Sequence, residues 1–210
     1  MRRKILSLAA LGVVLALAVP ALATPVPFPT NNLLPPTGQY VGPATPVIQY
    51  TNGVQGRNPV LSGFSASWPP PVGGTDTHSF TANIGIEYSV TGGVSWVSGT
   101  APVNMTTAIT DLGSGSYSLE VLAMDVNLGG GALIRESPVQ HSLGSATITG
   151  GGGGGGYMID SFFDVFTELS LDNGQNWVPS TSAEHFVLTP EPASLALLGL
   201  GALVISRRRR

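Results

Sequence analysis

Through the middle of the chain, apolar and polar residues alternate with a period of two. Across residues 81–90, Ala82, Ile84, Ile86, Tyr88 and Val90 fall on one side, and Thr81, Asn83, Gly85, Glu87 and Ser89 on the other. Successive strand residues point to opposite faces, so this pattern predicts a half-buried strand. Tyr117, Leu119, Val121 and Ala123 repeat it. Residues 64–68, 105–110 and 145–149 are further short strand candidates, bounded by Gly, Pro or Asp. No stretch between 47 and 188 combines a helical period with capping residues. Many short strands separated by Gly and Pro turns must bury one face against another sheet. An all-β domain follows over 47–188, an antiparallel β-sandwich or jelly roll.

The flanks of this region read differently. Residues 24–46 hold Pro25, Pro27, Pro29, Pro35, Pro36, Pro43 and Pro46, a density that predicts a polyproline-like extended leader or edge segment. Seven consecutive glycines at 150–156 read as a loop. A phosphate-cradling glycine loop would need a following helix and usually a lysine, and this run has neither.

One pattern occurs twice, 81 residues apart. Glu87-Tyr88-Ser89-Val90-Thr91-Gly92-Gly93-Val94-Ser95-Trp96-Val97 aligns with Glu168-Leu169-Ser170-Leu171-Asp172-Asn173-Gly174-Gln175-Asn176-Trp177-Val178. Upstream, Ile84 and Ile86 align with Val165 and Thr167, so both copies bury the same face. Each reads as strand, tight glycine turn and returning strand, predicting two related hairpins at 81–97 and 162–178. The second copy, with Ser170, Asp172, Gly174 and Trp177, is similar to the Asp-box hairpin of sialidase propellers and other secreted β-proteins. That resemblance implies a structural hairpin lying away from any active site. The first copy departs from it, because Thr91 stands where the aspartate would be. Against the structural role stands a sugar-stacking one for Trp96 and Trp177, with Trp68 as a third aromatic face.

The two ends carry apolar runs flanked by charge. Arg2, Arg3 and Lys4 precede an apolar stretch at 5–19, and Ala21 and Ala23 place small residues at the two positions a signal peptidase inspects. Residues 1–23 therefore read as a cleavable signal peptide. At the other end, Pro190, Glu191 and Pro192 precede an uncharged segment at 193–206 and then Arg207, Arg208, Arg209 and Arg210. The prolines hold the backbone extended, and the arginines favour the cytoplasmic side of a membrane. Fourteen residues make a helix of about 21 Å, short of the roughly 30 Å hydrocarbon core, which suits a temporary stop. These three parts in this order resemble the bacterial PEP-CTERM sorting signal, here 189–210. The resemblance implies recognition by an exosortase, a membrane-embedded cysteine transpeptidase, with delivery to the cell surface or extracellular matrix. An ordinary single-pass tail anchor is the alternative, and both place the domain outside the cytoplasm.

Charge sharpens this picture. The whole chain carries −3, but residues 24–189 contain only Arg57 and Arg135 against eleven acidic residues, a net −9. Such a domain repels phosphate backbones, which excludes nucleic acid as a partner. Sialidase chemistry would need three arginines converging on a carboxylate, and the domain holds two. His78, His141 and His185 are scattered and the chain has no cysteine, so neither a metal site nor a cofactor is expected. Asp160, Asp164 and Glu168 would share one face of a strand about 13 Å end to end, too far apart to chelate one ion, and read as a solvated acidic face. The expected function is that of an exported, non-catalytic surface protein with a structural or adhesive role. Its expected partners are signal peptidase and exosortase during processing, and surface polysaccharide. A carbohydrate-binding module is the alternative. A glycan-cleaving enzyme is the third possibility and would need two carboxylates about 5–9.5 Å apart in a cleft.

Overall fold

A computed structural model of the chain describes residues 26–28, 32–36, 38–45, 48–150 and 156–189. The regular elements are β1 (Val26–Phe28), β2 (Gln39–Val41), β3 (Ile48–Gln49), β4 (Gln55–Ser62), β5 (Thr75–Ser89), β6 (Val97–Gly113), β7 (Ser116–Gly129), β8 (Ala132–Glu136), β9 (Ser142–Gly150), β10 (Tyr157–Val165), β11 (Thr167–Ser170), β12 (Val178–Pro179) and β13 (Glu184–Thr189). All strand pairings are antiparallel.

Followed in order, the pairings close on themselves. β2 and β3 both lie along β4, which pairs with β5, then β6, then β7. β8 and β9 lie end to end along β7. β11 and β10 lie end to end along β8 and β9. β12 and β13 lie along β11 and β10. Finally β13 returns to β2, with Val187 opposite Val41, Leu188 opposite Tyr40 and Thr189 opposite Gln39. A bridge from Tyr50 to Ser180 closes the other end of the seam. The result is an up-and-down barrel of eight staves, four of them interrupted. The all-β antiparallel class stands, and the two faces expected to pack as separate sheets are opposite walls of one closed sheet. Closure is physically favoured because it leaves no long edge with unpaired N–H and C=O groups.

The interrupted staves are stitched rather than frayed. At Phe166, between β10 and β11, the N–H donates to Ser142 Oγ at 3.1 Å and the carbonyl accepts from Ser137 N at 2.8 Å. Beside it, Thr167 N donates to Ser180 Oγ at 3.2 Å. Backbone groups that leave the ladder must find partners when buried, and three serines supply them.

Alternation predicts the barrel interior well where strands are regular. Ala82, Ile84 and Ile86 point inward, as do Val165, Thr167 and Leu169 on the opposite wall. Leu61, Val103, Ile159 and Val165 are fully buried, each contributing roughly 1.5–3 kcal/mol of apolar transfer. Two expectations fail at irregularities. A bulge between Thr106 and Thr107 leaves Leu122 as an extra residue on β7. The phase therefore flips, and Met124, not Ala123, continues the inward series from Val121. Val90 is 62% exposed because β5 ends at Ser89.

Described parts of the leader are built into the sheet. β1 pairs with β10, and β2 is a barrel stave whose Tyr40 is buried. The segment 64–68, expected as a strand, plugs the barrel instead. Trp68 forms an isolated bridge, exchanging backbone bonds of 2.9 and 2.8 Å with Leu34, and Ser65 N donates to Thr81 O at 2.8 Å. Phe64 packs edge-on against Tyr40 and Phe80. Three prolines at 69–71 prevent the chain from continuing as a ladder strand. The ends of the barrel are therefore different: one carries the plug, the 112–115 turn and the last residue of β13, the other carries both repeat hairpins.

Candidate functional site

The repeated pattern builds two equivalent clusters. In the first, Arg57 on β4 faces Glu87 on β5, and its Nε donates to Glu87 Oε2 at 2.6 Å. The guanidinium carbon lies 4.0 Å over the ring of Trp96. In the second, Arg135 on β8 faces Glu168 on β11, with Nε and Nη2 donating to Oε2 at 3.0 and 2.6 Å. Its guanidinium carbon is likewise 4.0 Å over Trp177. The hairpins occupy the third-to-fourth and seventh-to-eighth staves, so the clusters stand on opposite sides of one barrel end.

The two turns share the same backbone bonds. Ser89 Oγ accepts from Thr91 N at 3.2 Å and Gly93 N at 2.9 Å, and Ser170 Oγ accepts from Asp172 N at 3.3 Å and Gly174 N at 2.9 Å. Thr91 Oγ1 accepts from Ser95 N at 2.9 Å, as Asp172 Oδ1 does from Asn176 N at the same distance. A threonine hydroxyl thus does in the first copy what the carboxylate does in the second. Gly93 and Gly174 sit at φ of 88° and 85°, where a Cβ would be strained. The N–H and side-chain amide of Asn176, with the Ser170 hydroxyl, hold the Asp172 carboxyl down at about 2.

In the sequence the two arginines stand out only as charges. Their strands share no visible motif. The one available signal was their spacing of 78 residues, close to the 81 that separates the hairpins.

The three tryptophans are not brought together. Trp96 and Trp177 each have one face under a guanidinium, and the Trp96 indole donates to Gly93 O at 3.1 Å. Trp68 lies at the opposite barrel end, stacked 4.5 Å from His78. Asp160, Asp164 and Glu168 do share the outer face, but not as a solvated series. Asp160 is exposed and Asp164 half-buried. Asp164 meets His185 Nδ1 at 2.7 Å, and Glu168 is 8% exposed beneath Arg135.

Polar groups inside the barrel are few. Tyr40 Oη donates to Ser161 Oγ at 3.0 Å, Tyr50 Oη shares a 3.0 Å bond with Thr167 Oγ1, and burial pushes both phenols up to about 12. Glu184 lies opposite Val165 with its carboxylate beside Gly42. Its Oε1 has no hydrogen-bond partner, and burial raises the carboxyl to about 7. Among the described residues, apolar cavities of 40 and 20 Å³ lie between the side chains.

On the outside, the 137–141 loop stands off β7 and leaves a cleft of 220 Å³, lined by Glu120, Leu122, Glu136, Val139 and His141 among others. His141 Nδ1 lies 2.8 Å from Glu120 Oε1, and Ser142 Oγ donates to Glu136 Oε1 at 3.1 Å. Desolvation raises Glu136 above its ordinary value. Among the described residues no group of three acidic or histidine side chains is placed to hold a metal.

Ala21, Ala23, Pro190, Glu191, Pro192 and Arg207 to Arg210 lie outside the described residues, as does the 193–206 segment. Among those described, no helix is long and apolar enough to cross a membrane. Residues 188–210 match the family model described as the PEP-CTERM protein-sorting motif. The match begins on the barrel wall itself, since Leu188 and Thr189 are the last two residues of β13. No curated protein and no solved structure matches the chain.

Proposed function

From a chain that carries a PEP-CTERM sorting signal, and is by that signal exported, processed by an exosortase and sorted to the cell surface, we infer a non-catalytic barrel with a structural or adhesive role. The signal peptide delivers it to the export machinery. The 193–206 segment holds it in the membrane until the transpeptidase acts, and the barrel is then transferred to the surface or matrix.

The observation that carries this role is where the barrel places its chemistry. The two arginines of the domain and both hairpin tryptophans are engaged in paired clusters that fasten one end of the sheet. The interior cavities of 40 and 20 Å³ are far below the roughly 300–1,000 Å³ of small-molecule sites. A rigid closed barrel with an acidic surface suits a building or spacing element outside the cell. The test compares strains with and without the sorting enzyme, then with and without this protein. Loss of the enzyme should leave the unprocessed chain in the membrane fraction. Loss of the protein should weaken surface attachment or matrix cohesion, and unaltered attachment and cohesion would count against the structural role.

A carbohydrate-binding module is the second reading, favoured by the 220 Å³ cleft with its two carboxylates, histidine and apolar rim. Glycan-array binding of residues 24–189, with and without calcium, separates the two. Binding that disappears in Glu136→Gln would favour the module.

A further inference from the structure

The sorting signal is tied to the barrel without a spacer. Thr189 is still paired to Gln39 of β2, and its Oγ1 donates to the Gln39 carbonyl at 3.3 Å. Only Pro190, Glu191 and Pro192 then separate it from the apolar segment beginning at Ala193. Fully extended, that tether spans about 14 Å at roughly 3.3–3.6 Å per residue. While the apolar segment lies in a bilayer, the barrel end at which β13 finishes cannot stand far from the lipid.

That end has a surface suited to the position. The plug loop at 63–74 and the turn at 112–115 contain no charged residue. Their tips present Val72, 98% exposed, and Leu112, 65% exposed. The nearby Asp111 carboxylate accepts from Gly73 N and Gly113 N, both at 2.8 Å, so its charge holds these loops together. Asp76 and the exposed Asp160, which is in register with Thr147 and through it with Ser116, are further acidic groups near this end. The opposite end also exposes apolar residues, Val90, Val94 and Leu171 among them, but it carries the two arginine–glutamate pairs and is the end from which β13 runs away. Exposed apolar tips on loops that carry no charge of their own favour contact with the interface of a membrane.

We propose that the barrel end bearing Val72 and Leu112 is a membrane-docking surface, seated on the lipid bilayer while the sorting tail is in place. The proposal rests on the membrane-held tail of the preceding section. It goes beyond it by assigning the face, the residues and the partner. Docking holds the barrel upright and fixes the Pro190-Glu191-Pro192 segment at the membrane surface, where a membrane-embedded transpeptidase would meet it. After tail removal the apolar segment no longer tethers this end to the bilayer, and the acidic domain leaves the lipid with its acceptor.

The chain has no cysteine, so single-cysteine labelling is clean. Full-length protein carrying an environment-sensitive dye at Val72→Cys, Leu112→Cys, Val94→Cys, Leu171→Cys or Leu198→Cys is reconstituted into phosphatidylcholine vesicles with brominated acyl chains. No enzyme is present. The first four positions are exposed, so the substitutions leave packing intact. Loss of fluorescence is expected at 72, 112 and 198, with none at 94 and 171. Quenching at 198 but not at 72 or 112 overturns the docking surface and leaves the membrane-held tail standing. No quenching at 198 overturns the membrane-held tail and the docking with it. Equal quenching at 94 and 72 also overturns the proposal, because the barrel would then lie on its side. With Val72→Asp added, quenching at 112 should fall while quenching at 198 stays, and an unchanged signal at 112 would refute the apolar contact.

Discussion

Glu184 makes the stability of this barrel fall as pH rises, against the usual behaviour of a carboxylate. The side chain is 5% exposed, its Oε1 lacks a partner, and burial lifts it from an ordinary 4.5 to about 7. Between those values the unfolded chain has released its proton and the folded barrel has not, so the unfolded state binds fewer protons. Stability contributed by this group is therefore complete below about pH 4.5 and is lost as pH rises through 7. At 1.36 kcal/mol per unit, the loss is about 3 kcal/mol. Glu184→Gln removes the titration while keeping the shape. Urea unfolding followed by tryptophan fluorescence at pH 5 and pH 8 should show wild type weaker at pH 8. The variant should be nearly unchanged between the two, and more stable than wild type at pH 8 by roughly 2–3 kcal/mol. The difference between proteins at each pH cancels every group they share. A wild-type stability that is flat or rising over this range, or a variant with the same decline, would refute the burial argument.

The two clusters should not be energetically equal despite their matching geometry. Arg135→Ala strands Glu168, whose side chain is 11% exposed, and should cost about 2–3 kcal/mol in the same assay, whereas Arg57→Ala leaves Glu87 at 31% exposure and should cost about 1 kcal/mol. Thr91→Ala removes the acceptor of Ser95 N and should destabilise the first hairpin by about 1 kcal/mol, with Thr91→Asp restoring it. The Asp172 carboxylate is held near 2, so its contribution persists above the unfolded value and disappears only as pH falls through about 2, readable as acid-induced loss of near-ultraviolet dichroism that Asp172→Asn abolishes. A Cβ at Gly144 would collide with Phe162 O and the Phe163 backbone. Gly144→Ala should therefore cost about 3 kcal/mol or leave no soluble barrel, as judged by yield and thermal melting.

What the chain determined alone was local or linear. Period-two alternation located the inward faces of β5 and of β7 as far as Val121, and glycines at positions requiring positive φ located the hairpin turns, because both depend on residues a few places apart. The sorting signal was legible for a related reason: it is read along the sequence by composition and order. Tertiary structure decided the rest. Closure into a barrel depends on β13 meeting β2, separated by nearly the whole domain, and no residue on either strand announces the other. The bulge that returns Met124 to the interior arises from a register between two strands. Arg57 and Arg135 acquire carboxylate partners only when their strands are placed beside the repeats. Glu184 shares the parity of Phe186 and Leu188, so its inward direction was written in the alternation. Its missing partner was not, because solvation and pairing of a buried charge depend on which atoms the other walls of the barrel bring within reach.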